Sequence, residues 1–266
     1  MSRSTGYFVC FIDILGYKEL VKQSHAHVSS QLSLIKRLQG IIEETISKPD
    51  LVLNMTHKTK FDWFSDSLVI SVKQEDDNRI ELEDLIKFIS YFQAVCLGQE
   101  IFVRGGLSFG KHYSKSLKHG RVLISEALIA AVELEKSATY PRILIDRVLI
   151  NNLLDEHPGP FSGVGIVVDG SDCFVDYERG ISYLVGNDIV KWREWLGSLA
   201  TLIENLIEKH KTDKNIKNKY LWLNDYFYWT FRRTPQLKDV FKSNTPQIFL
   251  NRFQEFFIEM NRAKGF

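Results

Sequence analysis

Three cysteines in 266 residues, Cys10, Cys96 and Cys173, are too few and too scattered for a disulfide framework or a zinc site. An excess of one charge is also missing. The 34 Lys and Arg nearly balance 33 Asp and Glu, so the net charge of +1 gives no basic field to gather nucleic acid. No apolar run reaches the roughly 18–20 residues of a membrane-spanning helix. No secretory leader opens the chain, and an odd cysteine count without one fits a reducing cytoplasm. Histidine supplies no metal motif, since His25, His27, His112 and His119 match no HExxH-like spacing. "VRGG" and "GVGIVVDG" lack the GK[ST] of a phosphate loop, and Ser65 and Ser67 lack a nucleophile elbow. The expectation from these absences is a soluble cytoplasmic protein with no nucleic-acid partner and no membrane span. Its 44% apolar and 25% charged residues are ordinary for a globular chain, long enough for one sizeable core plus an appendage, or two small domains.

What is present is an alternation of strand and helix patterns. "YFVCFIDILGY" reads as a buried strand running into a tight turn, and Leu32, Ile35, Leu38 and Ile42 line one face of a following amphipathic helix. "LVLNMTHKTKFDWFSDSLVISV" reads as a hairpin, and "LEDLIKFISYFQAVCLGQ" as a second helix with Gly98 as its C-cap. "IFVRGGLSFGKHYS" follows as a strand, "ISEALIAAVELEKSA" as a helix capped by Ser125, and "RILID" as a strand. "VGIVVD", "CFVDY" and "SYLVGN" add strands up to about residue 187. "DIVKWREWLGSLATLIENLIEKHK", "NKYLWLNDYFYWTFRR" and "PQIFLNRFQEFFIEMNR" then read as helices. The expectation is an α+β layered domain over residues 1–187 and a helical C-terminal segment over 188–266. The aromatic stripe Trp222, Tyr226 and Trp229 is read as core or helix–helix contact.

Two acids stand out because each ends a strand-like segment, Asp13 in "FIDILGY" and Asp66 in "FSDS". Either one alone is ordinary cap or turn chemistry. Brought together by adjacent strands they would repel, unless a cation sits between them. Mg²⁺ and Mn²⁺ accept such carboxylates and fill their shells with water and phosphate oxygens. The turn at Ile14, Leu15 and Gly16 opens a helix, whose backbone N–H groups would cradle a triphosphate.

"FIDILGY", "FSDSLVIS", "VRGGLSFG", "ALIAAVELEKSA" and "YPRI", in that order, resemble the pyrimidine nucleotide cyclases of bacterial Pycsar antiphage systems. Those enzymes are divergent relatives of the class III adenylate and guanylate cyclases. The resemblance spans roughly residues 7–145. It implies a ferredoxin-like catalytic core working as a head-to-tail homodimer. It also implies two Mn²⁺ or Mg²⁺ ions held by Asp13, Asp66 and the main chain of Ile14. The implied reaction is attack of the ribose 3′-oxygen of UTP or CTP on the α-phosphate, giving a 3′,5′-cyclic product that acts on a separate effector. A purine cyclase, or a cyclase-like domain that binds nucleotide without turnover, are the alternatives. The helix after "VRGG" lacks the Asn/Arg pair usual in class III enzymes, and Arg104 is the candidate replacement, ahead of Arg142. Lys58 and Lys60 are candidate phosphate ligands. Asp62, four residues before Asp66, is the candidate base reader, with Phe61, Trp63 and Phe64 as pocket walls. Strand alternation places Asp62, Phe64 and Asp66 on one face and Phe61, Trp63 and Ser65 on the other. A carboxylate at Asp62 would accept from uracil N3–H or the cytosine amino group alike.

Overall fold

The computed structural model describes residues 6–24, 28–47, 59–74, 78–118, 120–156, 165–186 and 188–233. The chain divides into two compact units, Met1–Leu184 and Val185–Phe266. The first unit begins with β1 (Tyr7–Ile14), α1 (Tyr17–Ser24) and α2 (Val28–Ile46), followed by the hairpin β2 (Thr59–Phe64) and β3 (Ser67–Lys73). Helix α3 (Asn78–Gly98) leads to β4 (Val103–Gly110), which continues as β5 (His112–Leu117), β6 (Gly120–Ser125) and α4 (Glu126–Ser137). The unit closes with β7 (Ile143–Ile145), α5 (Arg147–Glu156), β8 (Ile166–Asp169), β9 (Asp172–Val175) and α6 (Tyr177–Val185).

A seven-stranded sheet in the order β2-β3-β1-β4-β7-β9-β8 carries this unit. Its β2-β3-β1-β4 portion is antiparallel throughout, with a helical crossover after β1 and another after β3. That is the ferredoxin-like arrangement, and the fold is α+β as expected. Alternation along β1 explains the layers. Phe8, Cys10, Ile12 and Ile14 face the main core with Ile41 of α2 and Leu82, Leu85, Ile86 and Ile89 of α3. Val9 faces the other way, into a smaller cluster with Val69 and Ala127 of α4. All three cysteines are free and buried.

Helix α4 lies close on the sheet because its inner face is small. Ala127 and Ala131 are buried one turn apart, and the N-cap Ser125 accepts from the Leu128 amide at 2.9 Å, as expected of that serine. Opposite them, a Cβ added to Gly106 would stand 2.1 Å from the Ala131 carbonyl oxygen. The close approach therefore depends on glycine.

Several expectations are corrected. Of "SYLVGN", read as a strand, Ser182–Val185 belong to α6, because Asp176 caps the helix through the Glu178 amide (3.0 Å) and Tyr177 and Ile181 recur on its buried side. The expected first helix is two, α1 and α2, and Leu32 is exposed on α2 while Leu38 packs against the core; the Ile35 side chain lies outside the described residues. Gly98 is the last residue of α3, and the left-handed position falls on Glu100 (φ 57), with Ile101 N–H donating to Cys96 O at 2.8 Å. Strand β4 does not run on through "KHYS" but turns into a separate two-stranded ribbon, β5–β6. Helix α5, a segment left unassigned from the sequence, starts with the Asp146 side chain accepting from Val148 N–H.

In the second unit, α7 (Ile189–Lys209) is capped by Asp188, and α8 (Lys214–Arg233) starts on Asp213. Within this hairpin Leu196, Leu199 and Ile203 are buried, as are Leu223 and Phe227. Tyr226 is buried with Trp222 stacked on it at 5.4 Å, whereas Trp229 is 45% exposed. The third expected helix, "PQIFLNRFQEFFIEMNR", lies outside the described residues. Among the described residues no helix is long and apolar enough to cross a membrane.

Candidate active site

Asp13 is the next-to-last residue of β1, on the face that α4 covers. Its cross-strand partners are Ser67 on β3 and Arg104 on β4, and Phe64 on β2 continues the same row. Asp66 reaches this row by another route. Ser65 and Asp66 form the two-residue loop between β2 and β3, with Ser65 at φ 55, so the strand alternation expected through Ser65 and Asp66 stops at Phe64. The Trp63 indole N–H donates to the Ser65 carbonyl at 2.9 Å, holding the loop. The Ile14 N–H donates to the Asp66 carbonyl at 3.0 Å, fastening the loop to the end of β1. The two acids are thus brought together by one backbone hydrogen bond.

Electrostatics record that meeting. Burial pushes the Asp13 carboxyl above its ordinary value, the Asp66 charge adds to the rise, and Arg104 opposes it. Arg104 Nη2 lies 3.6 Å from Asp13 Oδ2, while its Nε lies 2.5 Å from Glu135 Oε1 on α4. Burial also raises Glu135, with Arg104 opposing. Sequence reasoning missed Glu135. Its signal was an acid continuing the small stripe Ala127, Ala131, 135 on the buried face of a helix.

Two carboxylates beside main-chain oxygens are the hard donors that Mg²⁺ and Mn²⁺ accept. Among the described residues no three His, Cys, Asp or Glu side chains are grouped to enclose an ion. The donor set therefore suits a cation that keeps water and substrate phosphate in its shell, and the residues fit the expected ions.

The phosphate cradle is narrower than expected. The Ile14 amide is bonded to Asp66 O and the Leu15 amide donates to Phe102 O at 2.8 Å, so neither N–H is open to an anion. Of the expected turn, Gly16 (φ 75) remains, next to the start of α1, where the Glu19 and Leu20 amides already donate to its carbonyl.

The remaining candidates separate. Asp62 is buried opposite Val69, on the same face as Phe64 as alternation predicted, and exposed Lys60 lies opposite Ser71 on that face, which is also that of Asp13. Two strands away from Asp13, Asp62 is level with Phe11 and Lys60 with Val9, which puts them about 12 Å and about 17 Å from it at ordinary strand spacing and rise. Lys60 lies close enough to help depress the His112 imidazole, after burial. Phe61 and Trp63 pack toward the main core, and Phe64 is exposed. Arg142 is excluded as a replacement for the missing pair. It is bonded to Asp172, lies 3.8 Å from Asp169 Oδ2, and stacks near Tyr140 and Phe174. Lys58 lies outside the described residues.

No protein-family model matches this chain, and no curated protein matches it in sequence. Solved structures do match in chain path. The adenylyl cyclase CyaB of P. aeruginosa is 13% identical, covering 64% of this chain and 92% of its own, with a TM-score of 0.43. The monomeric guanylyl cyclase domain of the RhoGC fusion protein from the aquatic fungus Blastocladiella emersonii is 14% identical, covering 65% and 95%, with a TM-score of 0.47. A class III adenylyl cyclase-like ATP-binding protein from Pseudomonas aeruginosa is 11% identical, covering 67% of this chain and 40% of its own, with a TM-score of 0.45.

Proposed function

We propose that the chain is a nucleotidyl cyclase that converts UTP, and CTP second, to the 3′,5′-cyclic monophosphate and pyrophosphate. The observation that carries this reading is the Ile14–Asp66 backbone bond, which sets two carboxylates and Arg104 at one end of the sheet. In the reaction the ribose 3′-oxygen bonds to the α-phosphorus and the bond to the β-phosphate oxygen breaks. Pyrophosphate departs and the hydroxyl proton passes to solvent. Two divalent ions, Mn²⁺ or Mg²⁺, would supply nucleophile activation and neutralise the leaving group when bound. Asp13, Asp66 and the Ile14 carbonyl would hold them. Arg104 would bind the phosphate charge that grows in the transition state, and the Gly16 amide and first turn of α1 would orient the triphosphate. Asp62 would read the base, with Phe64 beside it and Lys60 steadying phosphate.

A homodimer fits the ribbon β5–β6, whose outward row leaves Tyr113, Leu117, Val122 and Ile124 exposed. The motif resemblance extends the proposal to a cytoplasmic second messenger of antiphage defence, read by a separate cyclic-nucleotide-sensing effector. The test is incubation with Mn²⁺ and UTP, CTP, ATP or GTP, followed by mass analysis. Cyclic UMP or cyclic CMP is the expected product. A purine product alone would remove the pyrimidine reading, and no cyclic product from any triphosphate would remove the enzyme. For Asp62→Ala the selectivity among the four triphosphates is expected to fall about tenfold, the scale of one lost net hydrogen bond to a base. An unchanged profile would take Asp62 out of the pocket.

A further inference from the structure

Arg104 has two carboxylates to choose between and is fully committed to neither. Its Nε lies 2.5 Å from Glu135 Oε1, yet neither atom has a directed hydrogen-bond partner, although both are buried. The contact is a charge pair without hydrogen-bond alignment. On its other side the guanidinium stops 3.6 Å from Asp13 Oδ2, beyond direct hydrogen-bond distance. The Glu135 side chain is 6% exposed and that of Asp13 is 21% exposed. Glu135 therefore attracts the cation from the drier side and at shorter range, where Coulomb attraction is strongest. Helix α4 holds Glu135 there through its close seat on the sheet. If that negative charge were absent, the guanidinium would have one acid left and would close onto Asp13 as a two-point pair.

We infer that Glu135 is a positioning residue that holds Arg104 away from Asp13 and so keeps the Asp13 carboxylate open to a divalent cation. This rests on the reading of Asp13 as a metal ligand. It goes beyond that reading by making an acid with no direct role in ligation a determinant of metal affinity. Arg104 remains tethered through Nε while its two terminal nitrogens turn to incoming phosphate. One residue thus arbitrates between cation and substrate.

The experiment is calorimetric titration of the full chain with Mn²⁺, without nucleotide. It compares the wild type with Asp13→Asn, Glu135→Gln, Arg104→Met and the Glu135→Gln/Arg104→Met double variant. Glu135→Gln keeps the side chain's shape and removes its charge. It should weaken Mn²⁺ binding about tenfold, the scale of one charge-assisted hydrogen bond that the ion must displace. The double variant should recover the affinity of Arg104→Met, at or above the wild type. That recovery separates release of Asp13 from damage to folding, which a second substitution would not repair. Unchanged binding in Glu135→Gln, or a double variant as weak as the single, overturns the inference. So does wild-type binding that Asp13→Asn leaves intact. Product analysis is independent of all these outcomes: the expected titrations with no cyclic product would keep the inference and reject the cyclase.

Discussion

Two arginines on neighbouring strands of the sheet meet acids in opposite ways. Arg142, just before β7, is 6% exposed, bonded to Asp172 and flanked by the rings of Tyr140 and Phe174 at 5.5 and 5.1 Å. Arg104, inside β4, keeps 29% of its side chain exposed and is divided between Glu135 and Asp13. Stacked and enclosed, Arg142 holds the short strands β7 and β9 to each other's flanks and has no freedom to meet a ligand. Arg104 sits where one more charge changes its allegiance. On the proposed reading, enclosure marks the structural pair and division the functional one.

The largest effect should come from removing either acid of the proposed metal pair. Asp13→Ala or Asp66→Ala is expected to lower cyclisation by roughly a thousandfold or more, because a lost ligand removes charge stabilisation at the reacting phosphate. Thermal unfolding should remain a single transition near that of the wild type. Near-normal turnover in either variant would remove the two-acid site.

Exchanging the arginines tests the comparison itself. Arg104→Met should reduce turnover about a hundredfold and also lower stability, because Glu135, 6% exposed, is left without its cation. Arg142→Met should lower stability by about 1 kcal/mol through the lost charge-assisted hydrogen bond and ring stacking, because the acids it leaves, Asp172 and Asp169, are 42% and 67% exposed and stay hydrated. Urea unfolding and turnover are read on both proteins. If Arg142→Met lost activity at full stability, or Arg104→Met lost stability at full activity, the distinction would be reversed.

A smaller effect concerns a carboxyl raised by burial in the second unit. Burial lifts Asp225 to about 7, with a hydrogen bond from Asn224 opposing. Its folded value is above the unfolded one, so the native state holds the proton more tightly. The stability this lends is full below the unfolded value near 4 and is lost as pH rises toward 7. Asp225→Asn should therefore raise the melting temperature at pH 8 and leave it nearly unchanged at pH 4. Equal shifts at both pH values would assign the effect to packing.

How far the sequence carried the fold depends on the range of the interaction concerned. The apolar run in "YFVCFIDI" was enough to assign β1, because a strand's pattern is local. The meeting of Asp13 with Asp66 followed from reading β1 beside the hairpin. The loss of the Ile14 and Leu15 amides did not follow, because their acceptors, Asp66 O and Phe102 O, come from distant segments. Helix α6 was misread since Ile181, Tyr183 and Val185 favour strands, although Asp176 and the Tyr177–Ile181 spacing were helix signals in plain view. Glu135 stayed hidden for a different reason: its meaning depends on which strand its helix rests upon.

That seat bears on how the protein tolerates change. A side chain at Gly106 would meet the Ala131 carbonyl at 2.1 Å and Leu134 Cβ at 2.6 Å, so even alanine must raise the helix by roughly an ångström. The hydrogen at Gly106 therefore works as a shim, setting the gap between two layers to a finer tolerance than the chemistry above it could set for itself. A methyl group inserted there would touch no reacting atom. It would detune the site by geometry alone, making position 106 a place where a silent-looking substitution throws the machine out of alignment.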